Sequence, residues 1–214
     1  MKRIMILKYC LLIYSSFITY FAFLQPYKKV EGIFTYKVEH INPKNNTGIE
    51  ISKSTLYVND TLVRTELISP STGNQTIIKN LSLNKQYILI NYENQMYAIS
   101  QKISKDTNIR FNFSYKRKKK KIETISAKKV IITKIDTQEK ITCYYIPEIN
   151  PNYLSVYPGI NGLLVQYTLD TEDGLVRYTL ESFKEQKINA DAFSFSKEYQ
   201  RISMDTFLEK VNKK

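Results

Sequence analysis

Apolar and polar residues alternate along most of the chain beyond residue 29, and a period of two is typical of half-buried β-strands. In the segment Ile33–His40, the side chains of Phe34, Tyr36 and Val38 fall on one side of the predicted strand. The polar residues between them fall on the other side. The pattern therefore predicts strands that bury one face and expose the other.

The alternation predicts about ten strands separated by short polar turns. Asn59 and Asp60 are predicted to form one of these turns, because both residue types tolerate positive φ. Near the end, Ser203 can cap a short helix with a narrow apolar stripe that includes Phe207 and Val211. The predicted strands are Ile33–His40, Ile49–Val58, Leu62–Ile68, Gln75–Lys79, Gln86–Asn91, Gln95–Ser100, Ile125–Ile135, Lys140–Ile146, Leu163–Leu169 and Leu175–Phe183.

These elements predict a mainly β fold, in which a curved antiparallel meander sheet or open half-barrel of about ten strands is followed by a short C-terminal helix. Strands do not alternate with long helices, which argues against a nucleotide-binding α/β fold. We expect residues 29–214 to form a single β-rich domain.

Residues 1–28 read as a signal peptide or an N-terminal anchor. Lys2, Arg3 and Lys8 precede an uncharged apolar stretch from Tyr9 to Leu24, which is shorter than the roughly 20 residues that a spanning helix needs. The expected location is the periplasm or the outer membrane, and the alternative is an N-terminal anchor in the inner membrane.

Residues 101–124 interrupt the alternation, and they predict either a mobile flap or a long hairpin. Their most prominent feature is a run of six cations, which repel one another and therefore predict a solvated loop tip. Contact with anionic lipid headgroups or polyanionic glycans is the functional alternative. The run consists of Lys116, Arg117, Lys118, Lys119, Lys120 and Lys121.

The net charge of +12 is local rather than spread over the chain. Without the four cations of residues 1–28 it is +8, and the run of cations supplies six of these charges. Nucleic-acid binding needs basic residues along a groove or stripe, so no nucleic-acid partner is expected.

Little in the composition suggests catalysis. The chain has one His and two Cys, and it lacks a Gly-rich phosphate loop, a Cys-x-x-Cys pair and a Gly-x-Ser-x-Gly motif. Cys143 is expected to be a small core residue, and His40 an edge residue rather than a metal ligand. We therefore expect no catalytic residues, no metal and no cofactor.

The segment Ile141–Asn150, together with Tyr157–Tyr167, resembles the GLPGLI family of exported Bacteroidetes proteins of unknown activity. Its core here runs from Gly159 to Leu164, with Asn161 where the family has Pro. Leu56–Glu66 is similar to the strand–turn–strand of exported proteins with a LolA-like, lipoprotein-carrier-like fold. The resemblance implies an export signal, a Gram-negative envelope location, and a half-barrel whose concave side holds an acyl chain or a hydrophobic peptide. It implies no catalytic residues.

The turn of this motif has a physical meaning of its own. Gly159 and Gly162 permit backbone conformations or close approaches that a side chain would block, and Pro158 fixes the entry to the turn. Such a turn either sets the topology or forms a rigid loop at the mouth of a cavity.

Three functions follow as hypotheses. The first is a non-catalytic envelope protein that binds a lipid, a lipoprotein acyl chain or a peptide inside the curved sheet. The second is an interaction module that docks on an outer-membrane or secretion protein, and the third is an unrecognised hydrolase. The residues expected to line the cavity, each of which can equally be plain core, are Phe34, Tyr36, Val176, Tyr178 and Leu180.

Overall fold

The computed structural model describes residues 27–41, 49–69, 73–103, 110–171 and 174–212. The predicted export segment lies almost entirely outside the described residues, apart from its last two positions. Among the described residues, no helix is both long enough and apolar enough to cross a membrane. The strands are β1 Glu31–Ile41, β2 Ile49–Asn59, β3 Leu62–Ser69, β4 Gly73–Asn80, β5 Lys85–Tyr92, β6 Gln95–Lys102, β7 Phe111–Ile122, β8 Ile125–Lys134, β9 Lys140–Ile146, β10 Leu163–Thr171, β11 Gly174–Glu185 and β12 Gln200–Ser203, and the helix is α1 Met204–Asn212.

The described strands form one long, open and curved sheet, which confirms the predicted fold class. Their order is β12-β6-β5-β4-β3-β2-β1-β11-β10-β9-β8-β7. Two antiparallel meanders, β1 to β6 and β7 to β11, are therefore joined side by side through the pairing of β1 with β11. The first meander runs outward from this seam, and the second runs from its far strand β7 back to the seam. Strand β7 therefore lies at one edge of the described sheet, and the short parallel strand β12 lies at the other.

The alternation predicted for β1 is confirmed. Phe34, Tyr36 and Val38 are fully buried on what we call the inner face, which carries the main hydrophobic core. The ring of Phe34 stacks on Phe183 of β11 with 4.3 Å between the ring centroids. The hydroxyl of Tyr36 donates a hydrogen bond of 2.8 Å to the carbonyl oxygen of Leu164, which ties β1 to β10.

A second core cluster lies on the opposite, outer face of the first meander. Residues 186–199 leave β11 and cross this face to reach β12, and we call this segment the strap. Ile188 and Phe193 of the strap pack with Ile78 and Leu89 of the sheet. The guanidinium of Arg64 donates to the carbonyl oxygens of two strap residues, Ala192 at 3.2 Å and Ser194 at 3.1 Å. Burial on both faces explains why β4 to β6 are less strictly alternating than β1.

Two sequence predictions need correction. The cations from Lys116 to Lys121 lie within strand β7 and not at a loop tip, so the long-hairpin interpretation of this region is the right one. The charges are exposed on a strand that lies at the edge of the sheet, where no other described strand pairs with its outer side. The turn after β2 is formed by Asp60 and Thr61, one residue later than predicted, and Asp60 has a φ of 49°.

Two strands, β7 and β12, were not predicted, so the described sheet has twelve strands instead of about ten. The cap of the C-terminal helix is confirmed, because the backbone N–H of Thr206 donates to the Ser203 hydroxyl at 3.1 Å. The helix packs Phe207 against the rings of Tyr92 and Tyr97, with ring centroids 5.8 Å apart in both pairs.

Candidate binding groove

A groove of about 630 Å³ opens to solvent between two parts of the chain that are distant in sequence. One wall is the connection between β9 and β10, and the other is formed by the β4–β5 turn and the residue that follows β6. Small-molecule sites in proteins occupy about 300–1,000 Å³, so the groove has the size of a ligand site. Its lining residues are Tyr27, Leu81, Asn84, Ile103, Pro151, Asn152, Ser155, Tyr157, Pro158, Gly159, Ile160 and Asn161.

The lining combines apolar surface with uncharged polar groups. Leu81, Ile103 and Ile160 contribute aliphatic side chains, while asparagines and a serine supply amide and hydroxyl groups. None of the twelve lining residues is acidic or basic. This composition suits an apolar ligand with a few hydrogen-bonding groups better than an ion.

The wall between β9 and β10 is built as a rigid connection. It begins with a 3₁₀ helix, Pro151–Tyr153, whose N-terminus is capped because the Asn150 side chain accepts from the backbone N–H of Asn152 at 3.0 Å. Tyr157 is buried, and its hydroxyl donates to the carbonyl oxygen of Thr168 at 2.6 Å. Burial raises the pKa of Tyr157, which keeps its hydroxyl protonated as a donor.

The two glycines of the motif have different structural roles in this wall. Gly159 has a φ of +94°, and it lines the groove beside the ring of Phe113. Gly162 has a φ of +136°, and a Cβ atom there would lie 2.3 Å from the carbonyl oxygen of Ile146. Gly162 therefore allows the connection to pass against the end of β9 before the chain enters β10.

The rim of the groove is fixed by two tyrosines that converge on one residue of the motif. The backbone N–H of Asn161 donates to the hydroxyl of Tyr115 at 2.9 Å, and Tyr27 donates to the Asn161 side-chain oxygen at 3.0 Å. Tyr115 belongs to β7, so the motif turn is attached to the edge strand. This is a role for Asn161 that the Pro of the GLPGLI pattern could not fill, because Pro lacks the backbone N–H.

The buried side chain of Lys79 holds the 3₁₀ helix of the groove wall by hydrogen bonds. It is only 7% exposed on the inner face of β4, and its ammonium donates to the carbonyl oxygens of Tyr153 at 3.5 Å and Leu154 at 3.2 Å. These carbonyls lie at the C-terminal end of the 3₁₀ helix, where their partial negative charge favours a cation. Burial without a carboxylate partner lowers the pKa of Lys79 to about 8.

Groups that could support chemistry are dispersed. Burial raises the pKa of the Cys143 thiol to about 12, which makes it a poor nucleophile. His40 lies 3.4 Å from the hydroxyl of Ser52 on the first meander, and neither residue lines the groove. Among the described residues, no three His, Cys, Asp or Glu side chains are grouped as a metal site would require.

The residues predicted from sequence fall into three places. Of the motif residues, Pro158 and Gly159 line the groove and Gly162 lies behind it. The six cations lie on β7. The five predicted cavity residues lie in the sheet core and not in the groove: Phe34, Tyr36 and Leu180 are fully buried, Val176 is buried, and Tyr178 stacks on Tyr167 with 4.8 Å between ring centroids. A ligand contact by these five remains a prediction.

Sequence reasoning missed the second wall. Tyr157 directly precedes Pro158, so it could have been included with the motif. Leu81 and Ile103, by contrast, belong to polar turns of the first meander, and no local pattern distinguishes them. They reach the groove only because of the strand order of the complete sheet.

No family model matches the chain, and none of the curated proteins matches it either. Solved structures that are similar to it include the following two. One, described as PNGF-II, is 15% identical with a TM-score of 0.40, and the match covers 85% of this chain but only 33% of that protein, so the chain spans about a third of its length. The other is a LolA superfamily protein from Nitrosomonas europaea, 9% identical with a TM-score of 0.38, and the match covers 79% of this chain and 92% of that one. Membership in the GLPGLI family remains a prediction.

Proposed function

We propose that this protein is a non-catalytic protein of the cell envelope that binds a hydrophobic ligand in the groove. The ligand class is a lipid, a lipoprotein acyl chain or an apolar peptide. The observation that supports the proposal is the groove itself, which has ligand size, uncharged lining and walls held in place by hydrogen bonds. A preformed site of this kind binds without the cost of ordering its walls.

The envelope location rests on the charged and apolar pattern of residues 1–28 and on the resemblance described above. The absence of catalysis is likewise part of the proposal. It is supported by the separation of Cys143 and His40 from the groove and by the uncharged groove lining.

The test is native mass spectrometry with lipid extraction on the protein purified from its own cells, followed by displacement of a fluorescent fatty acid. Asn152 is exposed in the groove, and the variant Asn152→Trp fills space there without replacing a core residue. Thr142→Trp is the matched control, because Thr142 is exposed on β9 outside the groove.

We expect a co-purifying lipid or acylated peptide, and we expect Asn152→Trp to weaken fatty-acid binding about tenfold or more while Thr142→Trp leaves it unchanged. A protein that carries no ligand and does not bind the probe contradicts the proposal, and it favours the interaction module. Equal effects of the two variants would place the binding site elsewhere.

A further inference from the structure

Strand β7 presents an uninterrupted row of cations at the edge of the sheet. All six residues from Lys116 to Lys121 are exposed, and none forms an ion pair with another described residue. The strand partner adds further positive charge, because Lys119 lies directly opposite Lys128 of β8 and Lys129 follows it. The described part of this hairpin offers one acid, Glu123 in the turn.

Protection of a sheet edge explains only part of this arrangement. Edge strands commonly carry lysine and bulges that prevent pairing with another chain. The pairing of β7 with β8 is indeed irregular between Tyr115 and Lys119. However, like charges placed directly opposite, such as Lys119 and Lys128, destabilise a sheet, and edge protection does not require such a pair. An anionic partner would remove this repulsion.

The cations are held on a fixed element. Ile122 and Ala127, near the end of the β7–β8 hairpin, are buried in the main core. The ammonium of Lys120 lies over the ring of Tyr144 on β9, 4.9 Å from its centroid. The positive surface is therefore preorganised, which a disordered loop tip would not be.

The basic edge also adjoins the candidate groove. Tyr115, which immediately precedes Lys116, accepts the hydrogen bond from the backbone N–H of Asn161 on the groove rim. The same rim residue accepts from Tyr27. A flat negative surface in contact with the start of the cation run would thus lie close to the mouth of the groove.

We propose that the basic edge of β7 docks the protein on an anionic lipid bilayer. A bilayer is favoured over nucleic acid because the positive charge is confined to the β7–β8 hairpin, whereas nucleic acid requires cations along an extended groove or stripe. A local cluster of four to eight cations is sufficient for an anionic bilayer. The inference deepens the proposed function, since it names a bilayer as the source of the hydrophobic ligand.

The experiment measures binding of the purified protein to vesicles of phosphatidylglycerol mixed with phosphatidylcholine, and to pure phosphatidylcholine vesicles. Two triple variants each remove every second cation of the run: Lys116→Gln with Lys118→Gln and Lys120→Gln, and Arg117→Gln with Lys119→Gln and Lys121→Gln. The control variant removes three exposed lysines of the strand end and the strap: Lys184→Gln, Lys187→Gln and Lys197→Gln.

We expect binding to the anionic vesicles only, with a loss of about 100-fold in at least one of the β7 triple variants and a much smaller loss in the control. Binding should weaken as salt is added. Equal binding to both vesicle types would overturn the inference, and so would β7 variants that bind as well as the control. Tight binding to a sulfated polysaccharide without vesicle binding would overturn it as well, in favour of a glycan.

Fatty-acid displacement in the same variants separates this inference from the proposed function. We expect the β7 variants to keep the affinity of the groove for the fatty acid, because none of the six cations lines it. Vesicle binding in a protein that takes up no fatty acid would refute the proposed function alone. Fatty-acid binding without vesicle binding would refute the docking surface alone.

Discussion

We expect replacement by alanine to lower the free energy of unfolding much more at Gly162 than at Gly159, the two glycines of the motif turn. In Gly162→Ala, the new methyl group would lie 2.3 Å from the Ile146 carbonyl oxygen and 2.7 Å from the Cα atom of Pro147. Both obstacles are backbone atoms, so they cannot move aside as a flexible side chain does. In Gly159→Ala, the nearest atom is a ring carbon of Phe113 at 3.3 Å.

The magnitude follows from two contributions. Both glycines have positive φ, at +94° and +136°, and a non-glycine residue in such a conformation costs about 1–3 kcal/mol. Gly162→Ala adds the overpacking strain of displacing β9 from β10, which costs about another 1–3 kcal/mol. We therefore expect Gly162→Ala to lower the free energy of unfolding by the sum of both contributions, about 2–6 kcal/mol, and Gly159→Ala by the first alone, about 1–3 kcal/mol.

The assay is urea denaturation of the wild type and both variants, with far-UV circular dichroism to confirm that each is folded in the absence of urea. A loss of about 2–6 kcal/mol in Gly162→Ala is a large part of the about 5–15 kcal/mol available to a typical domain. Equal losses would refute the reasoning, because they would mean that the close approach to Ile146 does not determine the cost. A Gly162→Ala variant as stable as the wild type would refute the turn geometry itself.

Further predictions concern Lys79 and Arg64. Because the pKa of Lys79 is lowered to about 8 in the folded protein, the unfolded state binds more protons from about pH 8 to pH 10, and stability contributed by this group rises with pH in that window. The difference in free energy of unfolding between the wild type and Lys79→Met should rise by up to about 1.4 kcal/mol per pH unit in this window. The same pH dependence of both proteins in urea denaturation would contradict this. Arg64→Met removes two hydrogen bonds to the strap, so it should cost about 1–2 kcal/mol and accelerate amide hydrogen exchange in residues 190–199. Unchanged exchange in the strap, or equal acceleration in β8 to β10, would show that Arg64 does not hold the strap in place.

The sequence alone determined which residues form most strands and which face of β1 is buried. These properties are local: the side chains of a strand alternate with a period of two, so Phe34, Tyr36 and Val38 had to share a face. The helix cap at Ser203 and the unusual backbone at Gly159 and Gly162 were also predictable, because they depend on single residue types.

The cation run shows where local reasoning failed. Mutual repulsion from Lys116 to Lys121 predicted a loop, and repulsion is indeed relieved by exposure to solvent. A strand at the edge of a sheet can also expose consecutive side chains, as β7 does from Lys116 to Lys121. Whether β7 lies at the edge depends on the pairing of β1 with β11, which no property of the run itself reveals.

The groove was decided by tertiary structure for the same reason. Pro158 and Gly159 were recognisable as a rigid turn, but their partners across the groove, Leu81 and Ile103, belong to the other meander. These two walls meet because β1 and β11 join the meanders and the sheet curves, and both are consequences of pairing between residues far apart in sequence. The sequence determined the chemistry of each wall, and only the folded sheet determined that the walls face each other.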